Sequence, residues 1–258
     1  QSGEIDDDTF GMTWFGPADG EKFDPADENF WQENNPSWPI MNLDEFRSAF
    51  KSTRESEFLR YRGNAWTATQ DAWFEHGTWD GLTDLEVAQI APGDQVVFGF
   101  DGAWSGDCTA IAATRITDMH HQLLELWERP KNDREWRTPK AEVRDRLREL
   151  MDEYSPLEVA ADPFLFQEEL LTLTDEGYPI IEFPTNHVAR ISAAAKIFQD
   201  AVLDGELSHD GDPRLARHIQ NTQLKTDREG RRRPVKDYKS STKFIDATIA
   251  SVISVATA

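Results

Sequence analysis

Cysteine is almost missing from this chain: Cys108 stands alone among 258 residues. That excludes an intramolecular disulfide and a cysteine-built zinc site, and it suits a reducing compartment. Long apolar runs are missing too. The nearest, 244–258, carries Asp246 and is shorter than the ~18 residues a membrane span needs, so no membrane partner is expected. The early residues Glu4 and Asp6 to Asp8 are the wrong chemistry for a signal peptide. No G-x-x-x-x-G-K-[ST] phosphate loop occurs, so ATP-driven work is not expected of this chain by itself. Internal repeats and low-complexity tracts are absent. The expectation is a soluble, acidic, intracellular protein.

Positive charge is scarce overall, with 27 Lys and Arg against 48 Asp and Glu, for a net charge of −21. A total of that sign argues against binding nucleic acid, whose phosphates need local cations. The distribution answers the objection. Residues 214–243 hold ten basic residues (Arg214, Arg217, Lys225, Arg228, Arg231, Arg232, Arg233, Lys236, Lys239, Lys243) and three acids, a local charge of +7. The asymmetry is the informative quantity.

What is present is ample core material: 38% hydrophobic residues and 11% aromatics, which rules out wholesale disorder. The length allows one large domain or two small ones. Residues 1–41 are rich in Asp, Pro, Asn and Trp. Asn42 can cap a helix running from Leu43 to Arg60, and 65–79 is aromatic and β-prone. Pro92-Gly93-Asp94 punctuates the chain, and a boundary is expected there, dividing 1–92 from 93–258. Beyond it, strands are expected at 95–100, 108–116 and 120–128, joined by short connections as an antiparallel meander. Helix 138–154 places Val143, Leu147, Leu150 and Met151 on one face. Strand 157–161, helix 165–176, strand 180–183, helix 189–203 and a helix opening at Asp212-Pro213 follow. Then come a basic hairpin over 223–238 turning at Glu229-Gly230, and a last helix from about Ser241. This order implies an α/β fold, a mixed sheet of meander plus parallel strands with helices on both faces.

Three acids sit where a sheet enzyme places metal ligands. Asp101 and Asp162 each follow a buried apolar strand, at the carboxyl ends where open sheets build their sites. Asp246 lies in an otherwise apolar helix, where a lone charge is costly unless it pairs or ligates a cation. Clustered carboxylates repel, and hard divalent ions relieve the repulsion. Two such ions about 3.5–4 Å apart would activate water and stabilise the leaving oxygen in phosphodiester cleavage. Each acid also has an ordinary reading: Asp101-Gly102 as a turn, Asp162-Pro163 as a strand-to-helix junction, Asp246 as a surface pair with Lys243. Asp107 is a fourth acid, balanced between a solvated turn and a supporting role behind the ligands.

The segments FGFDGAWSGDCTA, EVAADPF and PVKDYKSSTKFIDATIASVISVA resemble the C-terminal nuclease domain of the large subunit of tailed-phage terminases. GELSHDGDPRLARHIQN is similar to the family's segment before its basic hairpin. FWQENNPSW and FLRYRGNAWTATQDAWF are similar to the linker joining motor to nuclease. The resemblance implies an RNase H-like fold, with metal-binding catalytic acids at Asp101, Asp162 and Asp246 and two Mg2+ or Mn2+ ions. It implies a metal-dependent endonuclease that cuts double-stranded DNA during genome packaging in the host cytoplasm. An ATPase motor domain, a small terminase and a portal would be its partners. This chain then reads as a nuclease half with its connector at 1–92.

DNA contact is expected from Lys225, Arg228, Arg231, Arg232, Arg233, Lys236, Lys239 and Lys243, the arginines projecting from the hairpin tip. His209 touches phosphate or orders the adjacent loop, with a capping role as the alternative. His120-His121 would alternate across a strand and so suit packing. His209 and His218 match no zinc spacing, and Ser105 has no evident His/Asp partners. Six of the nine Trp fall within residues 1–79, which suits a local core. The competing readings are a junction resolvase or transposase-like nuclease, a sugar-kinase-type phosphotransferase that lacks its Gly-rich motifs, and a non-catalytic acidic module docking a capsid or portal protein.

Overall fold

The computed structural model describes residues 15–17, 23–53, 55–65, 72–75, 77–104, 107–130, 133, 135–237 and 243–258. The chain divides into two compact units, Gln1–Gln70 and Asp71–Ala258. The division expected near Pro92 therefore lies inside the second unit. The reason is aromatic: Trp73, Phe74 and Trp79 are buried in the sheet domain, where all three rings pack against Phe198. Pro92-Gly93 is only the turn that leads into the first strand.

The first unit is a small helical body: α1 (Glu28–Glu33), α2 (Leu43–Ser52) and α3 (Glu55–Arg62). Asn42 caps α2 as expected, accepting from the Asp44 N–H at 3.0 Å. The single helix expected over 43–60 is two, because Thr53 turns to an extended conformation. Trp31, Phe46 and Phe58 form the core, with Trp31 edge-on to Phe58 at 5.3 Å. No helix among the described residues is long and apolar enough to cross a membrane.

The second unit is built on a six-stranded sheet, with β1 (Val96–Asp101), β2 (Thr109–Arg115), β3 (His120–Trp127), β4 (Glu158–Ala161), β5 (Ile180–Glu182) and β6 (Ser208–His209). The spatial order is β5-β4-β1-β2-β3-β6. β1, β2 and β3 form the expected antiparallel meander, and β4 and β5 add in parallel beside β1. Between and after these come α4 (Lys140–Tyr154), α5 (Gln167–Asp175), α6 (Val188–Leu203), α7 (Pro213–Asn221) and α8 (Asp246–Thr257). A separate hairpin of β7 (Gln223–Thr226) and β8 (Arg232–Val235) turns at Gly230, whose φ of 80° favours glycine.

Strand periodicity sorts the two cores. Val96, Phe98 and Phe100 point to one face, with α4 and α5; Ala110, Ala112 and Ala160 point to the other, with α6, α7 and α8. By the same period of two, Asp101 and Asp162 belong to the α8 face. β1 and β4 pair Phe100 with Ala161, so the two acids end adjacent strands side by side. The last helix starts at Asp246, not near Ser241, and Ser241 itself lies outside the described residues. From Asp246 to Val255 every residue is buried, the polar Asp246, Thr248, Ser251 and Ser254 among them.

Candidate metal centre

α8 is set on the sheet by a buried polar network. Ser254 Oγ donates to Val97 O at 3.0 Å and lies 2.7 Å from Thr114 Oγ1. Thr114 Oγ1 meets His121 Nδ1 at 2.9 Å, and His121 Nε2 meets Ser251 Oγ at 2.8 Å. Burial pulls the His121 pKa down to about 3, so the ring is a neutral hydrogen-bonding member of the core. His120 bonds Ser208 at 2.9 Å. Both histidines are packing residues, as their alternation suggests.

The network carries Asp246 to the sheet's carboxyl edge as the first residue of α8. A carboxylate there gains from the helix dipole, yet its Oδ2 is buried without a hydrogen-bond partner among the described residues. Its pKa is pushed well up, first by burial and then by the charge of Asp107 and a hydrogen bond with it, and by the charge of Asp101. Asp101 is likewise pushed well up by burial, then by Asp162 and Asp107. Four carboxylates thus feel one another at one place. Asp162 is fixed most firmly: Oδ1 accepts from the Phe164 N–H at 3.0 Å, and Oδ2 accepts from the Thr185 N–H at 3.3 Å and from the Thr185 hydroxyl.

Ligand atoms of Asp107, Cys108 and Asp246 lie within 4.8 Å of one another. Asp107 therefore stands directly against Asp246, closer to the centre than a supporting role behind the ligands implies. The Cys108 thiol is buried, its pKa raised first by burial and then by neighbouring acids. A second group, Cys108, Glu128 and His218, meets the same distance limit. There His218 Nδ1 accepts from the Ala247 N–H at 3.0 Å, which leaves the proton on Nε2, facing Glu128 at 3.3 Å. Both ring nitrogens are engaged in hydrogen bonds, so this group is a strut behind Asp246.

An orphaned buried oxygen facing a second carboxylate fits a hard divalent cation. Asp246 and Asp107, whose ligand atoms come together, are the residues that would hold it, with Asp101 near enough for its charge to raise the Asp246 pKa. The sequence gives no sign of the parts that Thr185 and Glu128 take here, and Cys108 and His218 are weighed there only as zinc ligands. Their pattern carries no signal, because each acts through a partner distant along the chain.

The cations divide sharply. Arg231 is paired with Asp227 at 2.7 Å and Glu229 at 3.0 Å, so it folds back on its own turn instead of projecting. Lys236 bonds Asp107 and lies 5.3 Å from the Phe244 ring centroid, so it belongs to the acid centre and not to a DNA-facing row. Lys243 pairs with Asp237 at 3.4 Å. Lys239 lies outside the described residues. Lys225, Arg228 and Arg232 are exposed and Arg233 half-buried, with no ion pair among the described residues. His209 is buried and stacked on Trp79, with centroids 4.2 Å apart. Its Nε2 donates to Trp79 O and its Nδ1 accepts from the Gly211 N–H, so it orders the loop and does not reach phosphate.

Residues 140–258 match the family model of the terminase large subunit, endonuclease domain. The Gene 13 protein of Mycobacterium phage L5 is 26% identical over 236 residues, covering 83% of this chain and 40% of that protein. Its counterpart in Mycobacterium phage D29 is 25% identical over 236 residues. The chain thus spans about 40% of the length of the curated relatives it matches. Among solved structures, the large terminase of bacteriophage HK97 superposes with a TM-score of 0.60 at 18% identity, over 95% of this chain and 56% of that one. The large terminase nuclease of thermophilic phage G20c, solved with bound magnesium, superposes at 0.52 with 14% identity, over 72% of this chain and 97% of that one. The fold is therefore the RNase H-like mixed sheet of terminase nucleases, and residues 140–258 match the terminase large-subunit endonuclease domain.

Proposed function

We propose that the second unit is a divalent-metal-dependent endonuclease that cuts double-stranded DNA during phage genome packaging. Asp101, Asp162 and Asp246 are its metal-binding and catalytic acids, with Asp107 beside them. The carrying observation is Asp246 Oδ2, a buried carboxylate oxygen with no hydrogen-bond partner among the described residues, in the company of three other acids. When bound, two Mg2+ or Mn2+ ions supply the charge that activates water and stabilises the leaving oxygen. The chain's own residues do the placing. Thr185 holds Asp162 rigid, the start of α8 aims Asp246, and the ends of β1 and β4 set Asp101 against Asp162.

The hairpin supports DNA as substrate. Lys225 lies directly opposite Arg233 across β7 and β8, and facing like charges destabilise a ribbon unless an anion sits between them. A duplex backbone is such an anion. The match to an endonuclease domain and the magnesium-bound nuclease of phage G20c favour the same reading. In the full system the partners are an ATPase motor domain, a small terminase and a portal in the host cytoplasm. Residues 1–92 then include the connector to the motor.

The deciding assay is the nicking of supercoiled plasmid by the full chain, with Mg2+, with Mn2+ and with excess EDTA. Cleavage with either ion, abolished by EDTA and by Asp246→Asn, is expected. Ion-independent cleavage would sink the reading, and a strong preference for four-way junctions over linear duplex would redirect it to a resolvase.

A further inference from the structure

One lysine is in an unusual place for a basic arm. Lys236 follows β8 at the root of the hairpin, yet its side chain is only 15% exposed. The ammonium bonds Asp107 Oδ1 and lies 5.3 Å from the Phe244 ring centroid. Asp107 in turn shares the 4.8 Å group with Asp246. The charge of Lys236 opposes the upward pKa shifts of Asp101, Cys108 and Asp246 alike. Among the described residues, no other cation acts on all three groups. An ammonium and a divalent ion cannot both sit against one carboxylate without strong repulsion.

Resting on the metal-centre reading above, we propose that Lys236 is a resident counter-ion that competes with divalent metal for Asp107 and thereby couples the basic hairpin to metal loading. The tie is short in sequence: Lys236 is the residue after Val235, the end of β8, and Arg232 and Arg233 lie on that same strand. Metal arriving at Asp107 displaces Lys236 and frees the root of the hairpin. Conversely, a duplex that draws the hairpin away removes the competitor and favours metal. By linkage the two effects are equal in free energy. The hairpin and the acid centre are then two ends of one switch, with DNA and metal each promoting the other.

The test uses the full chain and Mn2+ alone. Mn2+ affinity is read by the electron paramagnetic resonance of free ion, for wild type, Lys236→Met, Lys236→Gln and Asp246→Asn. Removing the competing charge should tighten Mn2+ binding by roughly tenfold or more in both Lys236 variants, and two variants guard against a folding failure in one. In parallel, trypsin cutting between Arg228 and Arg233 should speed up severalfold when Mn2+ is added to wild type. It should be fast in EDTA already for Lys236→Met. Unchanged or weaker Mn2+ affinity in both Lys236 variants, with wild-type binding still lost in Asp246→Asn, would overturn the competition alone. Trypsin cutting that ignores metal would overturn the coupling. Absence of any Mn2+ binding that depends on Asp246 would overturn the metal-centre reading itself and this proposal with it.

Discussion

Gly99 in β1 lies directly beneath Ala250 of α8: a Cβ at Gly99 would fall 2.0 Å from the Ala250 carbonyl oxygen and 2.7 Å from Ser254 N. Helix and strand are in backbone contact, and that contact sets the height of Asp246 above Asp101. Gly99→Ala should therefore lift α8. The expected cost is at least the top of the ~1–3 kcal/mol range for overpacking, because the obstacle is backbone. Denaturant unfolding measures the loss, and plasmid nicking should fall further than the loss of folded protein explains. Full activity with unchanged stability would mean that the helix stands farther off.

Asp246→Asn keeps the shape of the helix start and removes one negative ligand. Metal-dependent cleavage should fall by orders of magnitude, and Asp101→Asn and Asp162→Asn should behave alike without adding, since groups acting as a unit are not additive. A plasmid assay on the folded variants checks this. Wild-type rates in any one of them would remove that acid from the site.

The same variant carries a pH prediction. Asp101 and Asp246 have folded pKa values raised well above their ordinary 3.8 by burial and neighbouring acids. A raised folded value gives stability that is fully present below the ordinary pKa and lost as pH rises through the folded one. In EDTA, the melting temperature of Asp246→Asn minus that of wild type should therefore grow as pH rises from about 4. Mg2+ or Mn2+ should shrink the gap by stabilising wild type. A gap that stays flat with pH would contradict the burial of that carboxylate.

His218→Leu removes the acceptor for the Ala247 N–H at the start of α8. Leaving that buried donor unpaired costs about 1–3 kcal/mol. The informative readout is Mn2+ affinity: it should weaken in His218→Leu and recover in His218→Asn, whose amide oxygen can accept the same N–H. Equal affinities in both variants would make His218 merely structural.

Arg232→Ala with Arg233→Ala should weaken DNA binding similarly on all sequences and flatten log K against log salt by roughly 0.9 per lost phosphate contact. Arg231→Ala should do little to that slope, because Arg231 is spent on Asp227 and Glu229. Fluorescence anisotropy across a salt series separates the two. The reverse ranking would place the duplex against the turn instead of β8.

Some of this was legible before any coordinates. An apolar run ending in a charge is a strong signal, so the strands ending near Asp101 and Asp162 and the meander between them stand where their periodicity puts them. What stayed hidden has one physical cause: side-chain destinations are set by partners far along the chain. Nothing in a run of lysines and arginines marks Lys236 as the one turned inward, since Asp107 and Phe244 decide it. His209 is claimed by Trp79, 130 residues away. The expected boundary at Pro92 missed because aromatic residues upstream reach across to Phe198. The early onset expected for α8 gave Asp246 a mid-helix position, although it is the helix's first residue.

The order of elements along the chain has a consequence for synthesis. Asp101, Asp107 and Asp162 are made early, but the orphaned carboxylate comes with α8, which follows every other described element. On the ribosome the sheet can form while the slot above Gly99 is still open. A partly made chain therefore lacks the last carboxylate of the acid cluster, which closes only when α8 docks.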